Sequence, residues 1–480
     1  MRSYTQISEI RSAIESGSTS CVELVKNYLS VIESKKNLNA FLEVWDEEAL
    51  LRAAEIDSKI KAGNAGPLAG MVIALKDNLA FKGHKVSNSS KILEGFESVY
   101  TATAVQRLYD ADAIFIGRTN CDEFAMGASN ENSAFGPVRN AFDPDRVPGG
   151  SSGGSAVAVS SGMCHAALGS DTGGSIRQPA AFNGIFGLKP TYGRISRWGL
   201  LAYASSFDQI GPMTHSLEDC ALLTSIMSGS DGHDASMIQE GPISVWTGSD
   251  SGQVGSGSKL RFAVMKQAVE HEGIDAEVAS TFKNLLIELE NAGHEITYFD
   301  FPLLDHLVPA YYVLTTAEAS SNLSRYSGMM YGFRSQNATD LESTYVLSRS
   351  EGFGPEVKRR IMLGTFVLSS DQYDAYYEKA QKVRRIIQNE TLKTLETADA
   401  ILIPTTSTPA FKLGEKSKDP VSMYLADLFT VQANLAGNPA ISIPMFKTQS
   451  GLPMGVQLMT KPGEDIKLFD LSSEVLKYSK

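Results

Sequence analysis

The chemistry available to this chain is concentrated in two short runs of small residues, Gly149-Gly150-Ser151-Ser152-Gly153-Gly154-Ser155 and Gly169-Ser170-Asp171-Thr172-Gly173-Gly174-Ser175. Glycine packed this densely around serine lets backbone N–H groups approach a ligand that side chains would otherwise block. The second run could present the N–H groups of Thr172, Gly173, Gly174 and Ser175 to a developing oxyanion, with the Ser175 hydroxyl as the attacking group. Neither run contains a histidine, so another residue must take the serine proton. Lys76, which ends the apolar run Met71 to Leu75, is the candidate. Desolvation at a strand end would lower its pKa toward neutrality, and a neutral amine accepts a proton where an ammonium cannot. Ser151 would bridge Lys76 and Ser175 as a proton relay. A lone lysine of this kind points into water, and a serine beside glycines is an ordinary turn hydroxyl. The two clusters together argue for a Ser–Ser–Lys arrangement.

Other motifs carry less. Gly149-Gly150-Ser151-Ser152-Gly153 matches the G-x-S-x-G nucleophile elbow, which needs a strand directly before it. The preceding residues, Asn140 to Pro148, contain Pro144 and Pro148 and cannot form a central strand, and no HGGG-type segment is present. Asp171-Thr172-Gly173 and Asp250-Ser251-Gly252 resemble the D-[TS]-G of aspartic proteases, but neither follows an apolar strand in this reading. Ser58 and Lys61 give an isolated S-x-x-K in a charged helix. No G-K-[ST] follows the glycines, which excludes a phosphate-cradling P-loop. The seven histidines, His165 and His215 among them, show no ligand-like spacing and are given no metal role.

The elements that must position these residues alternate. Val22, Val25, Leu29 and Ile32 follow the capping box Ser20 to Glu23, and Asp46 can cap a second helix ended by Gly63-Asn64. Met71 to Lys76, Ala113 to Ile116, Arg261 to Val264, Glu295 to Phe299, Ala400 to Ile403 and Ala440 to Ile443 read as strands. Ala276 to Asn291, Asp371 to Glu396 and Tyr424 to Leu435 read as helices. This alternation predicts an α/β architecture. Ser228 to Ser258, rich in Gly, Ser and Asp, reads as a surface loop, and Leu303 to Ser370 as a less regular insertion over the site.

A chain of 480 residues, 42% hydrophobic, can bury a large core, and its net charge of −12 disfavours unaided binding of nucleic acid. Lys379, Lys382, Arg384 and Arg385 read as a solvated helix face. The four cysteines, Cys21, Cys121, Cys164 and Cys220, lack CxxC spacing and read as reduced and buried. Cys121 precedes Asp122 and Glu123, which would raise a thiol pKa. With no apolar h-region near Met1 and no stretch long enough to span a membrane, the expectation is a soluble cytoplasmic protein.

The run from Gly149 to Ser196, with Ala74-Leu75-Lys76-Asp77-Asn78 upstream, resembles the amidase signature family. The resemblance covers nearly the whole chain. It implies a mixed β-sheet core sandwiched between helical layers and one amidase domain over 1–480. Within it, 1–65 would be N-terminal helices, 66–228 the catalytic core, 229–259 the Gly/Ser-rich loop and 260–480 the remainder, with the pocket insertion at about 303–370. It also implies that Ser175 is the acyl-enzyme nucleophile, Ser151 the bridging serine and Lys76 the base, with a cis peptide bond at Gly150–Ser151.

Asp122 to Gly127, Ser129 to Ser133, Ser206 to Pro212, Lys358 to Thr365 and Asn434 to Gly437 are similar to the amidase component (the A subunit) of the tRNA-dependent amidotransferases. Cys121, where relatives often carry Met or Leu, is a departure that touches nothing catalytic. This narrower resemblance implies a protein that hydrolyses glutamine and releases ammonia. The ammonia converts misacylated Glu-tRNA(Gln), and in many cases Asp-tRNA(Asn), to the amidated form. The implied partners are the B and C subunits in a heterotrimer. Misacylated tRNA, ATP and Mg would be held by the B component, reached by an ammonia channel from this chain, which itself would carry no cofactor.

Glutamine requires a cation for its carboxylate and an anion for its ammonium. In the helix starting at Pro355, Arg360 lies near the apolar face and Arg359 points away, so Arg360 is the expected carboxylate clamp. Asp427 borders the stripe of Tyr424, Leu428, Val431 and Leu435 and is the expected ammonium partner. Tyr311 or Tyr312 could line the same pocket. A free-standing hydrolase of small amides such as indoleacetamide or nicotinamide would share the triad without the clamp, and a silent scaffold would need neither.

Overall fold

The computed structural model describes residues 4–248, 258–271, 273–416, 423 and 425–479. Eleven strands form one mixed sheet: β1 Phe41–Val44, β2 Val72–Lys76, β3 Ile114–Thr119, β4 Ala166–Asp171, β5 Phe186–Lys189, β6 Gln209–Thr214, β7 Arg261–Met265, β8 Glu295–Phe299, β9 Ala400–Pro404, β10 Ala440–Lys447 and β11 Pro453–Met459. Their order is β1-β3-β2-β4-β6-β5-β10-β11-β9-β7-β8. β2 runs parallel to both β3 and β4, and β7 runs parallel to β8 and β9, while the pairs between these two groups are antiparallel.

Both faces of the sheet are covered. In β2, Val72 and Ala74 pack with the helices Cys21–Ser34, Asp46–Lys61 and Gly153–Ser160, while Ile73 and Leu75 pack with Ile7–Glu15 and Thr103–Asp110. In β9, Ile401 and Ile403 face the helices Leu304–Asn322 and Lys379–Thr397, and Ala400 and Leu402 face Ala276–Asn291 and Asp465–Leu476. A strand buried on both sides reads as a continuous apolar run, which is why β2 and β9 are legible in the sequence.

The structure departs from the sequence reading where local composition misleads. β1, β4, β5, β6 and β11 were not anticipated. Ala166-Ala167-Leu168-Gly169-Ser170-Asp171 has weak strand propensity, and β4 is fixed instead by β2 on one side and β6 on the other. Asp171-Thr172-Gly173 therefore does follow a strand, contrary to expectation. Asp250-Ser251-Gly252 lies outside the described residues, as do 249–257 of the Gly/Ser-rich segment. Residues 229–248 carry neither helix nor strand. The stretch expected to be less regular is largely helical, with Leu304–Asn322, Leu341–Gly352 and Pro355–Val367.

Asp46 is the first residue of its helix, not the cap; Trp45 holds that position. The helix expected from Asp371 begins at Lys379, behind a π turn at Asp374–Glu378. The helix expected from Tyr424, itself outside the described residues, is broken into a 3₁₀ turn, Leu425–Asp427, and a helix, Val431–Ala436. Thr430 lies at the break, its hydroxyl on Gly173 O at 2.6 Å and its carbonyl on Arg177 Nη1 at 2.9 Å. Arg384 is not part of a solvated face: it donates to Leu435 O and Ser206 O, both at 3.1 Å, and stacks 4.2 Å over Phe207. Lys379, Lys382 and Arg385 are exposed.

Candidate active site

The parallel pairing of β2 with β4 carries the end of each strand to the same edge of the sheet, where the crevices of α/β folds receive ligands. Lys76 ends β2, and Ser170-Asp171 ends β4. The chain after β4 turns through Ser175 into the helix Arg177–Phe182, and Ser151 and Ser152 immediately precede the helix Gly153–Ser160. The Gly150–Ser151 peptide bond is cis.

Lys76 is fully buried. Its Nζ lies 2.7 Å from Ser151 Oγ, 2.9 Å from Ser152 Oγ and 2.9 Å from Ser170 Oγ. Burial brings its pKa down to about 8, against the opposing pull of Cys121 and the carboxylates Asp122, Asp171 and Asp208. The neighbouring bonds commit one of the three hydroxyl protons. Ser152 Oγ donates to Ser170 O at 3.1 Å and accepts from Ser170 N–H at 3.3 Å. Ser170 Oγ accepts from Asn78 Nδ2 at 2.8 Å. Ser152 has thus given its proton elsewhere, whereas Ser170 accepts from Asn78 and keeps its own. Ser151, at 2.7 Å, and Ser170, at 2.9 Å, are the hydroxyls left to donate to a neutral Nζ, and Ser151 is the nearer.

Ser175 is 8% exposed, whereas Ser151 is completely buried. Among the described residues no hydrogen bond joins their hydroxyls; the two segments meet through the backbone, Ser152 N–H donating to Ser175 O at 3.2 Å. The N–H groups of Thr172, Gly173 and Ser175 have no protein partner among the described residues. Gly174 differs from expectation. Its N–H donates to Asp171 Oδ1 at 2.9 Å, so it is turned away from an oxyanion.

The loop is held from behind. Arg177 donates to Asp171 at 3.0 and 3.1 Å, to Thr430 O at 2.9 Å, to Gln457 Oε1 at 2.5 Å and to Asn434 Oδ1 at 2.6 Å. Burial alone would push the Asp171 carboxyl up, but the guanidinium overrides it and holds it at about 2. Thr172 Oγ1 donates to Asp208 at 2.8 Å, a carboxyl that burial pushes up to about 6. Cys121 is buried nearby, its thiol pushed up to about 12 chiefly by burial.

Arg360 and Asp427 face the same tyrosine. Arg360 is buried on the inner side of the helix Pro355–Val367, while Arg359 is half exposed. Its Nε donates to Glu356 at 2.8 Å and its Nη1 to Tyr203 OH at 2.8 Å, and its Cζ lies 5.0 Å from the Tyr312 ring centre. Tyr312 OH donates to Asp427 Oδ2 at 3.3 Å. Burial pushes the Asp427 carboxyl up to about 7, against the pull of Arg360. Tyr311 faces elsewhere: a Cβ on Gly173 would come 2.5 Å from its Cζ, so its ring closes over the serine loop. The two tyrosines therefore share the site, Tyr312 on the charged pair and Tyr311 on the loop. A cavity of about 620 Å³, largely apolar, opens beside Tyr312, Leu428 and Phe429.

Ser152, Ser170, Asp171, Arg177, Tyr203, Asp208 and Glu356 went unassigned in the sequence. The first four lie in or beside the serine clusters, so density of polar residues there was the available signal; Tyr203 and Glu356 had none. Among the described residues no group of three His, Cys, Asp or Glu side chains could hold a metal ion. A buried hydroxyl, an amine able to take its proton and unpaired N–H donors together suit acyl transfer.

A buried lysine among serines at a sheet edge suits the hydrolysis of amides. The amidase family model matches residues 23–469, and the chain belongs to that family. Among the similar proteins is the A subunit of glutamyl-tRNA(Gln) amidotransferase from Chlorobaculum tepidum, 51% identical over 465 residues, 97% of this chain and 96% of that one. The corresponding protein of Chlorobaculum parvum is 50% identical over 471 residues, 98% of this chain and 97% of that one. The crystal structure of the same amidotransferase component from Thermotoga maritima superposes with a TM-score of 0.77 at 40% identity, covering 96% of this chain and 94% of that one.

Proposed function

We propose that this chain is the glutamine-hydrolysing component, the A subunit, of a glutamyl-tRNA(Gln) amidotransferase, working through Ser175, Ser151 and Lys76. Ser175 attacks the side-chain amide of glutamine. Its proton passes through Ser151 to neutral Lys76, and the N–H groups of Thr172, Gly173 and Ser175 receive the oxyanion. The relay returns the proton to the departing ammonia. Water then cleaves the γ-glutamyl ester with the same base. The single observation that carries the reading is Lys76: a fully buried amine at about 8, bordered by three serine oxygens, of which Ser151 is the nearest.

Arg360 takes the substrate carboxylate and Asp427 its ammonium, with Tyr312 between them and Tyr311 over the loop. In the complex we envisage, the B and C subunits complete a cytoplasmic heterotrimer. The B component holds the misacylated Glu-tRNA(Gln), or Asp-tRNA(Asn), with ATP and Mg. The whole of 1–480 acts as one amidase domain. The test is co-purification from the native host followed by glutaminase assays with and without misacylated tRNA and ATP. Stimulation by both is expected. A lone active chain indifferent to both would instead be a free-standing amidase.

A further inference from the structure

Tyr203 lies outside both serine clusters, yet it is fully buried against Arg360. The direction of its hydrogen bonds is fixed. A guanidinium only donates, so the Tyr203 oxygen must accept from Arg360 Nη1, at 2.8 Å. Its single proton then goes to Thr315 Oγ1 at 2.9 Å, and the Thr315 proton goes to Tyr311 O at 2.9 Å. The backbone of Tyr203 is anchored as well. Its N–H and that of Ala204 donate to Asp208 Oδ2 at 2.9 and 3.0 Å, while Asp208 Oδ1 accepts from Thr172 Oγ1. One residue therefore spans from the loop of Ser175 to Arg360.

Glu356 on Nε and Tyr203 on Nη1 hold the guanidinium at two different nitrogens, and two such anchors fix its plane. Bidentate recognition of a carboxylate depends on that plane. We propose that Tyr203 is a specificity-determining positioning residue, orienting Arg360 so that the site selects amides bearing a carboxylate over uncharged amides. The inference rests on the reading of Arg360 as the clamp for glutamine.

The experiment uses the full chain purified from its own host with whatever partner chains come with it, and compares kcat/KM for glutamine and for butyramide. Tyr203→Phe should lower the glutamine-to-butyramide ratio roughly tenfold to a hundredfold, the effect of losing one hydrogen bond to a charged group, and the change should lie in the KM for glutamine. In an Arg360→Ala background the same substitution should leave the ratio where Arg360→Ala alone puts it. Thr315→Val, which frees the Tyr203 proton to turn toward Arg360, should shift the ratio the same way by a smaller factor. If Tyr203→Phe lowers both rates equally, its role is merely structural and the inference is overturned. It is also overturned if Arg360→Ala lowers the ratio and Tyr203→Phe and Thr315→Val do not. If Arg360→Ala leaves the ratio unchanged, the clamp itself is wrong and the inference goes with it.

Discussion

Asp171 and Arg177 meet 3.0 Å apart, both without solvent exposure, on either side of Ser175 in the chain. The pair converts the turn after β4 into a closed loop, because the same carboxylate takes the N–H groups of Gly174 and Ile176 at 2.9 and 3.1 Å. Removing one partner strands the other charge in the core. Arg177→Met should cost about 3–5 kcal/mol in urea unfolding, with loss of glutaminase activity. The Asp171 carboxyl is held at about 2, below its ordinary value, so its contribution to stability is complete above the ordinary carboxyl range and is lost as pH falls toward 2.

As the proposed base, Lys76 should set the pH dependence of catalysis. It works as a base only when neutral, and its pKa is about 8. At saturating glutamine, kcat should rise about tenfold per pH unit below that point and level off above it, as one deprotonation requires. The same group opposes stability. The unfolded chain holds the lysine proton more tightly, so stability should increase as pH rises from about 8 toward the ordinary lysine value. A kcat profile flat from pH 6 to 9 would remove Lys76 as the base.

How much of this was legible follows from what each residue advertises. Lys76, Ser151 and Ser175 stood out because glycine-rich polar runs beside an apolar strand have few structural explanations. Arg360 and Asp427 could be placed by helix periodicity, even though the helix around Asp427 is broken. The strand β4 was hidden, since Ala, Gly and Ser become a strand only through neighbours distant in sequence. The Gly174 N–H could not be withdrawn from the oxyanion set without knowing where the Asp171 carboxylate turns. Tyr203 was invisible because its partner, Arg360, is 157 residues away.

Two of the serines around Lys76, Ser151 and Ser170, should separate by role. Ser151→Ala removes the proposed relay and should lower kcat about 10²–10⁴-fold with little change in KM, measured by single-substrate kinetics. Ser170→Ala removes an acceptor of the charged amine at 2.9 Å and leaves Ser151 in place. The midpoint of its pH profile should move below that of the native enzyme. An unmoved midpoint would mean that Ser170 does not influence the proton on Lys76.

Gly173 has no room for a side chain, because Tyr311 closes over it. Gly173→Ala should destabilise by about 1–3 kcal/mol through overpacking and should also lower kcat, since the displaced loop carries the proposed oxyanion donors. Thermal unfolding and kcat measured on the same preparation test both halves.

As the proposed ammonium partner, Asp427 should supply a pH dependence of binding rather than of chemistry. Burial holds its carboxyl at about 7, so near neutrality a large fraction is protonated before substrate arrives. Only the carboxylate attracts the glutamine ammonium, and the protonated fraction must ionise before it can contribute. KM for glutamine should therefore fall as pH rises from 6 to 8, a range in which an ordinary carboxylate is already fully charged. Asp427→Asn should raise KM and flatten this dependence, while the rise of kcat governed by Lys76 persists. If KM varies with pH equally in both proteins, the ammonium is held by some other group, and the charged pair facing Tyr312 serves the fold instead of the substrate.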